Sequence, residues 1–187
     1  MKIAVYCGAN KGKNPAYHGA ASCIGRWIAE RGDTLVYGGS SIGMMGVLAD
    51  AVLQGGGQVI GVVPSFLLER EPPHPHLTQV ITVETMSERK RKMASLGEAF
   101  LALPGGPGTL EEITEVISWS RIGQNPYPCI FWNTDGYYDP LRQQYQRMVE
   151  DGFFTAEDFA KILFTTDLGE MECFIQDYTP PSFRSYT

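Results

Sequence analysis

Residues 99–121 constrain the fold more than any other stretch of the chain. The apolar run at 99–103 has the length and bulk of a buried strand. It stops at Pro104, passes through Gly105, Gly106 and Gly108, and enters a segment of helical periodicity that reaches about Arg121. That order is a strand, a glycine turn and a helix start. Glycines let the backbone take positive φ and let a ligand approach without interference from a Cβ. The first amides of a helix have no internal acceptor and carry partial positive charge, so an anion, a phosphate above all, fits such a turn. Thr109 stands where it can cap the helix or bond a phosphate oxygen, and Glu111, Glu112 and Glu115 crowd the first turns. Carboxylates suit a helix N-terminus, which accounts for them as partners of its dipole. Three of them beside an anion site would nonetheless repel the anion unless one has a chemical task.

Other strand-to-helix junctions precede this one. Residues 2–7 read as a buried strand, followed by a polar turn that holds Gly8, Lys11 and Lys13, and then by a helix opened by Pro15. A short strand at 34–37 runs into the glycine-rich loop 38–46, with Gly38, Gly39 and Gly43, and a helix whose Met44 and Met45 read as core packing. Further strands are expected at 58–63, 80–83, 129–132 and 161–164, with helices at 85–96, 138–150 and 167–177. Residues 64–71 read as a short helix or turn, residues 72–76 cannot be regular, and the tail from Thr179 is irregular. In the helix at 85–96, Ser87 is the expected N-cap, Arg89 and Lys90 flank the apolar stripe of Met86, Met93 and Leu96, and Lys92 faces solvent. Alternating strands and helices imply one α/β domain over residues 1–187: a Rossmann-like, mostly parallel sheet with helices on both faces. Ligands of such sheets bind beyond the carboxyl ends of the strands, where the glycine loops emerge.

Composition and missing motifs exclude several functions. The net charge of −6 argues against a nucleic-acid or anionic-membrane surface, and no apolar run approaches the length of a membrane span. Neither the Gly-x-Gly-x-x-Gly fingerprint nor the Gly-x-x-x-x-Gly-Lys-Ser/Thr loop occurs, which disfavours a nicotinamide dehydrogenase and an ATPase. His74 and His76 lie two residues apart in a proline-rich loop with no accompanying cluster, so no metal is expected. Cys7, Cys23, Cys129 and Cys173 form no Cys-x-x-Cys pair, and three sit in apolar strand or helix contexts; buried free thiols in a reducing cytoplasm are expected.

Three segments together resemble one family. Residues 104–112 match Pro-Gly-Gly-x-Gly-Thr-x-x-Glu, residues 88–93 match an Arg-Lys-x-x-Met element, and residues 38–46 match Gly-Gly-x-x-x-Gly-x-Met-Gly. The chain resembles the Lonely Guy (LOG) phosphoribohydrolases, long mislabelled as lysine decarboxylases, from Lys2 to about Phe154. The resemblance implies hydrolysis of the N-glycosidic bond of an adenine-type nucleoside 5′-monophosphate, either a cytokinin nucleotide or AMP, to free base and ribose 5-phosphate. It implies Arg89 and Glu112 as the catalytic pair. It implies substrate contacts from Glu71, Lys90, Gly105, Gly106, Pro107, Gly108, Thr109, Leu110 and Glu111, with Gly8, Gly38, Gly39, Gly43 and Met86 completing the candidate set. No cofactor or metal is expected, and members of this length are homodimers. Ala9, Asn10, Ser40 and Pro107 occupy variable or departing positions and leave the catalytic pair untouched.

The chemistry suits these residue types. Cleavage of a ribosyl C1′–N9 bond passes through an oxocarbenium-like state, which a carboxylate near C1′ stabilises while it orients or deprotonates water. Glu112 is assigned that role. Arg89 is permanently protonated, so it positions phosphate or ribose and holds Glu112 rather than acting as an acid. The rival reading is a non-catalytic carrier of a nucleotide or phosphorylated cofactor, which has no use for Arg89 and Glu112 together.

Overall fold

The computed structural model describes residues 1–68 and 72–182. Seven strands form one sheet: β1 (Lys2–Tyr6), β2 (Thr34–Tyr37), β3 (Gln58–Pro64), β4 (Gln79–Val83), β5 (Ala99–Ala102), β6 (Cys129–Trp132) and β7 (Ile162–Thr165). Their spatial order is β4-β3-β2-β1-β5-β6-β7, and every neighbouring pair is parallel. The expectation of a mostly parallel sheet is met by a wholly parallel one. Helices α1 (Pro15–Glu30), α2 (Gly43–Gln54), α3 (Ser65–Leu68), α4 (Met86–Leu96), α5 (Pro107–Ser120), α6 (Asp139–Glu150), α7 (Ala156–Ala160) and α8 (Leu168–Gln176) fill the connections. The five-residue α7 and a 3-10 turn at Thr134–Gly136 were not expected, because segments that short carry too few turns to show a period.

Strand alternation divides the core. Ile3 and Val5 point to one face, where Ile24, Leu48 and Met171 of α1, α2 and α8 cover them. Ala4 and Tyr6 point to the other, under Met93, Ile113, Val116 and Tyr145 of α4, α5 and α6. Each fully buried Ile or Leu of these layers contributes roughly 1.5–3 kcal/mol through the apolar surface it removes from water. Cys7 and Cys129 are buried, Cys23 is half-buried and Cys173 is exposed, so the thiols are free as expected but two of them, not three, are buried.

Two helix starts differ from expectation. Thr85, not Ser87, caps α4: its side chain accepts from the Glu88 amide at 3.1 Å, while Glu88 accepts from the Glu84 amide at 2.9 Å. At α5 the N-cap is Gly106, with no side-chain cap bond and Pro107 in the first turn; Thr109 lies one turn further in, so it does not cap.

Candidate functional site

The strand order reverses between β1 and β5, and the chain segments leaving these strands run side by side. Val5 pairs with Leu101 and Tyr6 with Ala102. Beyond the strands the Leu103 amide donates to Tyr6 O at 2.9 Å, the Gly8 amide to Pro104 O at 3.1 Å, and the Met44 amide to Gly8 O at 3.2 Å. Three strand-to-helix loops are thereby stitched together at the carboxyl edge of the sheet, the expected place for a ligand. A cavity of about 440 Å³ opens there, between these loops and the cavity-facing side of α4.

Glycine is required where the loops touch. A Cβ on Gly105 would stand 2.1 Å from Thr109 Oγ1 and 2.9 Å from the Gly8 nitrogen. Gly43 has φ +65°, and a Cβ there would meet Ala9 O at 1.9 Å. Above this junction the mouth of α5 is open: the amides of Gly106, Gly108 and Thr109 find no acceptor among the described residues. They are the unpaired donors that a helix start offers to an anion.

Helix α4 brings the cations. Met86, Arg89, Lys90 and Met93 all line the cavity, at positions i, i+3, i+4 and i+7 of one helical face, and the burial of Met93 against the sheet fixes that face. Lys90 Nζ donates to Glu111 Oε1 at 2.8 Å and lies 3.3 Å from Glu115 Oε1. The Glu111 hydrogen bond is the main reason its ammonium is held above the usual lysine range. Arg89 is the opposite case. Its Nη1 reaches only Met86 Sδ, at 3.8 Å, and its Nε is buried without a partner among the described residues.

Lys90 thus pairs with two of the three acids on α5, and Glu112 is left. Glu112 is half-buried and forms no hydrogen bond or ion pair with any described residue. Desolvation pushes its carboxyl above the usual glutamate range; the positive charge of Arg89 opposes that, Glu111 adds to it, and Lys90 opposes it. The expected hold of Arg89 on Glu112 is therefore a field across the cavity rather than an ion pair.

Of the residues singled out in the sequence, Gly8, Gly38, Met86, Arg89, Lys90, Gly105, Gly106, Gly108, Thr109, Glu111 and Glu112 meet around the cavity. Gly39, Gly43, Pro107 and Leu110 do not line it. Gly39, with φ +86°, lies under Val63 and accepts from the His74 amide at 2.9 Å. Leu110 packs on the core. Glu71 lies outside the described residues. Met44 is core and cavity wall at once, and Met45 joins it there. Lys11 lines the cavity while Lys13 does not; Lys92 is half-buried and away from it. His74 Nε2 is 3.0 Å from Asp50 Oδ1, and no group of metal-binding side chains occurs among the described residues. None of the described helices is long and apolar enough to cross a membrane. Sequence reasoning missed Tyr17 and Tyr137, two aromatic walls of the cavity whose rings meet edge-on with centroids 5.5 Å apart.

The chain resembles known proteins both in fold and in sequence. Among solved structures, the Moco carrier protein from Chlamydomonas reinhardtii superposes with a TM-score of 0.71 at 18% identity, covering 95% of this chain and 98% of that one. The molybdenum cofactor binding protein from Rippkaea orientalis gives 0.68 at 19%, covering 94% of each. At such identities the likeness is one of fold. In sequence, the chain is 43% identical over 180 residues to the cytokinin riboside 5′-monophosphate phosphoribohydrolase LOG of Oryza sativa subsp. japonica, covering 96% of this chain and 74% of that protein. It is 42% identical over 167 residues to the cytokinin riboside 5′-monophosphate phosphoribohydrolase of Rhodococcoides fascians, covering 89% and 84%. A family model described as "Possible lysine decarboxylase" matches residues 45–171. Motif, fold and relatives agree, and the chain belongs to the LOG family of cytokinin riboside 5′-monophosphate phosphoribohydrolases.

Proposed function

We propose that this protein hydrolyses the N-glycosidic bond of an adenine-type nucleoside 5′-monophosphate, a cytokinin riboside 5′-monophosphate or AMP, to free base and ribose 5-phosphate. The observation that carries this is Glu112, an unpaired and desolvated carboxylate one turn into the helix whose mouth is open to phosphate. Four residues, about 6 Å of helix, separate Gly108 from Glu112, and the two share a face. A phosphate on the Gly106, Gly108 and Thr109 amides extends its sugar along that face, with the anomeric carbon toward Glu112.

The roles follow. The open amides and the guanidinium of Arg89, which has no carboxylate partner among the described residues, bind the phosphate and pin the sugar, so binding is converted into orientation. Lys90 offsets part of the repulsion that Glu111 and Glu115 exert on the anion. Glu112 stabilises positive charge at C1′ as the base departs, and orients and deprotonates the attacking water. The four methionines of the cavity, Met44, Met45, Met86 and Met93, supply a soft wall for the base. A carrier gains nothing from an ionisable carboxylate kept dry beside its ligand, since that group only weakens anion binding. A decarboxylase fares no better: Lys90 is hydrogen-bonded as an ammonium to two carboxylates, the reverse of the neutral amine a Schiff base needs.

The working unit is a homodimer of the cytoplasm. Exposed Phe66, Val80 and Met86, on α3, β4 and α4 toward one edge of the sheet, give a second copy an apolar face, and four free thiols suit a reducing compartment. Light scattering of the purified protein reads the mass. Function is tested by incubating the protein with a panel of nucleotides and separating the products. Free base and ribose 5-phosphate from adenine-type monophosphates are expected; intact nucleotide throughout contradicts the reading.

A further inference from the structure

The turn after β6 reaches back to both loops at the point where the strand order reverses. Asn14 Nδ2 donates to Asp135 Oδ2 at 2.7 Å, Tyr138 Oη donates to Leu103 O at 2.6 Å, and Tyr137 Oη donates to Gly105 O. Asp135 and Gly136, with φ of 52° and 71°, take the left-handed turn that sets the two tyrosines in place. Their rings lie at 89° to one another with centroids 4.9 Å apart. Tyr138 is buried, while Tyr137 lines the cavity against Tyr17.

A trans peptide is planar, so the Gly105 carbonyl and the Gly106 N–H point in opposite directions. Glycines flank this unit on both sides, and little in the backbone itself resists a flip. Flipped, it would present a carbonyl oxygen where the mouth of α5 now offers a donor. We propose that Tyr137 is a positioning residue for the substrate phosphate: by holding the Gly105 carbonyl it keeps the Gly106 amide turned toward the anion. This rests on the reading of the α5 mouth as the phosphate site.

Tyr137→Phe keeps every ring contact and removes only the hydroxyl. Ribose 5-phosphate and adenosine are titrated calorimetrically into wild-type and variant protein, and the amide resonance of Gly106 is followed as inorganic phosphate is added. The dissociation constant of ribose 5-phosphate is expected to rise about tenfold, the size of one good hydrogen bond, while that of adenosine changes less than about twofold. The phosphate response of the Gly106 amide is lost. Tyr138→Phe, which frees a strand-end carbonyl instead, lowers Tm and leaves ribose 5-phosphate binding within about twofold. The proposal is overturned if Tyr137→Phe binds ribose 5-phosphate as the wild type does, if both probes weaken equally, if the Gly106 response persists, or if the wild type binds no ribose 5-phosphate. Binding, not turnover, is read. A wild type that binds ribose 5-phosphate but releases no base therefore sinks the hydrolase reading and leaves Tyr137 in its role.

Discussion

Arg89 Nη2 lies 2.0 Å from the point a Cβ on Gly38 would occupy. The guanidinium sits in the space that the missing side chain leaves at the end of β2, with Met45 Sδ 2.9 Å from the same point. The first glycine of the second loop therefore makes room for the arginine of α4. Gly38→Ala displaces the end of a flexible side chain, which costs little stability but moves the cation. The expected result is a 10- to 100-fold loss in kcat/KM with Tm nearly unchanged. Wild-type kinetics in Gly38→Ala would detach Arg89 from the chemistry.

Arg89 also acts on the charge of Glu112. Burial raises the Glu112 pKa and Arg89 opposes the rise. If the carboxylate is the working form, as proposed, it is lost as pH falls through that raised value, and the acid limb of kcat/KM is expected above the ordinary glutamate range. Arg89→Ala removes the opposing charge, so the residual activity has its acid limb at still higher pH. Lys92→Ala, away from the cavity, leaves profile and rate unchanged. A limb that stays put or moves to lower pH in Arg89→Ala contradicts the assignment.

Gly43 is required by the scaffold. Its φ of +65° and the Ala9 carbonyl 1.9 Å from a would-be Cβ leave no room for a side chain, and here the neighbour is backbone. Gly43→Ala is expected to cost at least about 2 kcal/mol of folding free energy, measured by urea denaturation. A wild-type midpoint would show that the three loops are not locked together at this position.

Much of the site was legible because its parts are local. The apolar run at 99–103, the glycines after it and the acids of α5 lie within one strand, turn and helix, and Arg89 and Lys90 fall on one helical face by spacing alone. What escaped the sequence depends on contacts between distant segments. Tyr137 meets Gly105 across 32 positions, and no local pattern announces a hydroxyl aimed at a carbonyl. A glycine in a loop reads the same whether it opens on the cavity, as at Gly106, or holds a left-handed turn, as at Gly39 and Gly43. Thr85 and Ser87 are both competent caps, and only the point where α4 begins decides between them. That Lys90 answers Glu111 and Glu115, leaving Glu112 alone, required α4 and α5 to be packed side by side.

The lone carboxylate is tested most directly by Glu112→Gln, with base release measured in a single turnover and AMP binding measured on the same preparation. Release is expected to fall about 10²–10⁴-fold while the dissociation constant of AMP stays within about threefold. Loss of a desolvated charge raises Tm by about 2 °C. Release at the wild-type rate would remove Glu112 from the reaction and contradict the account.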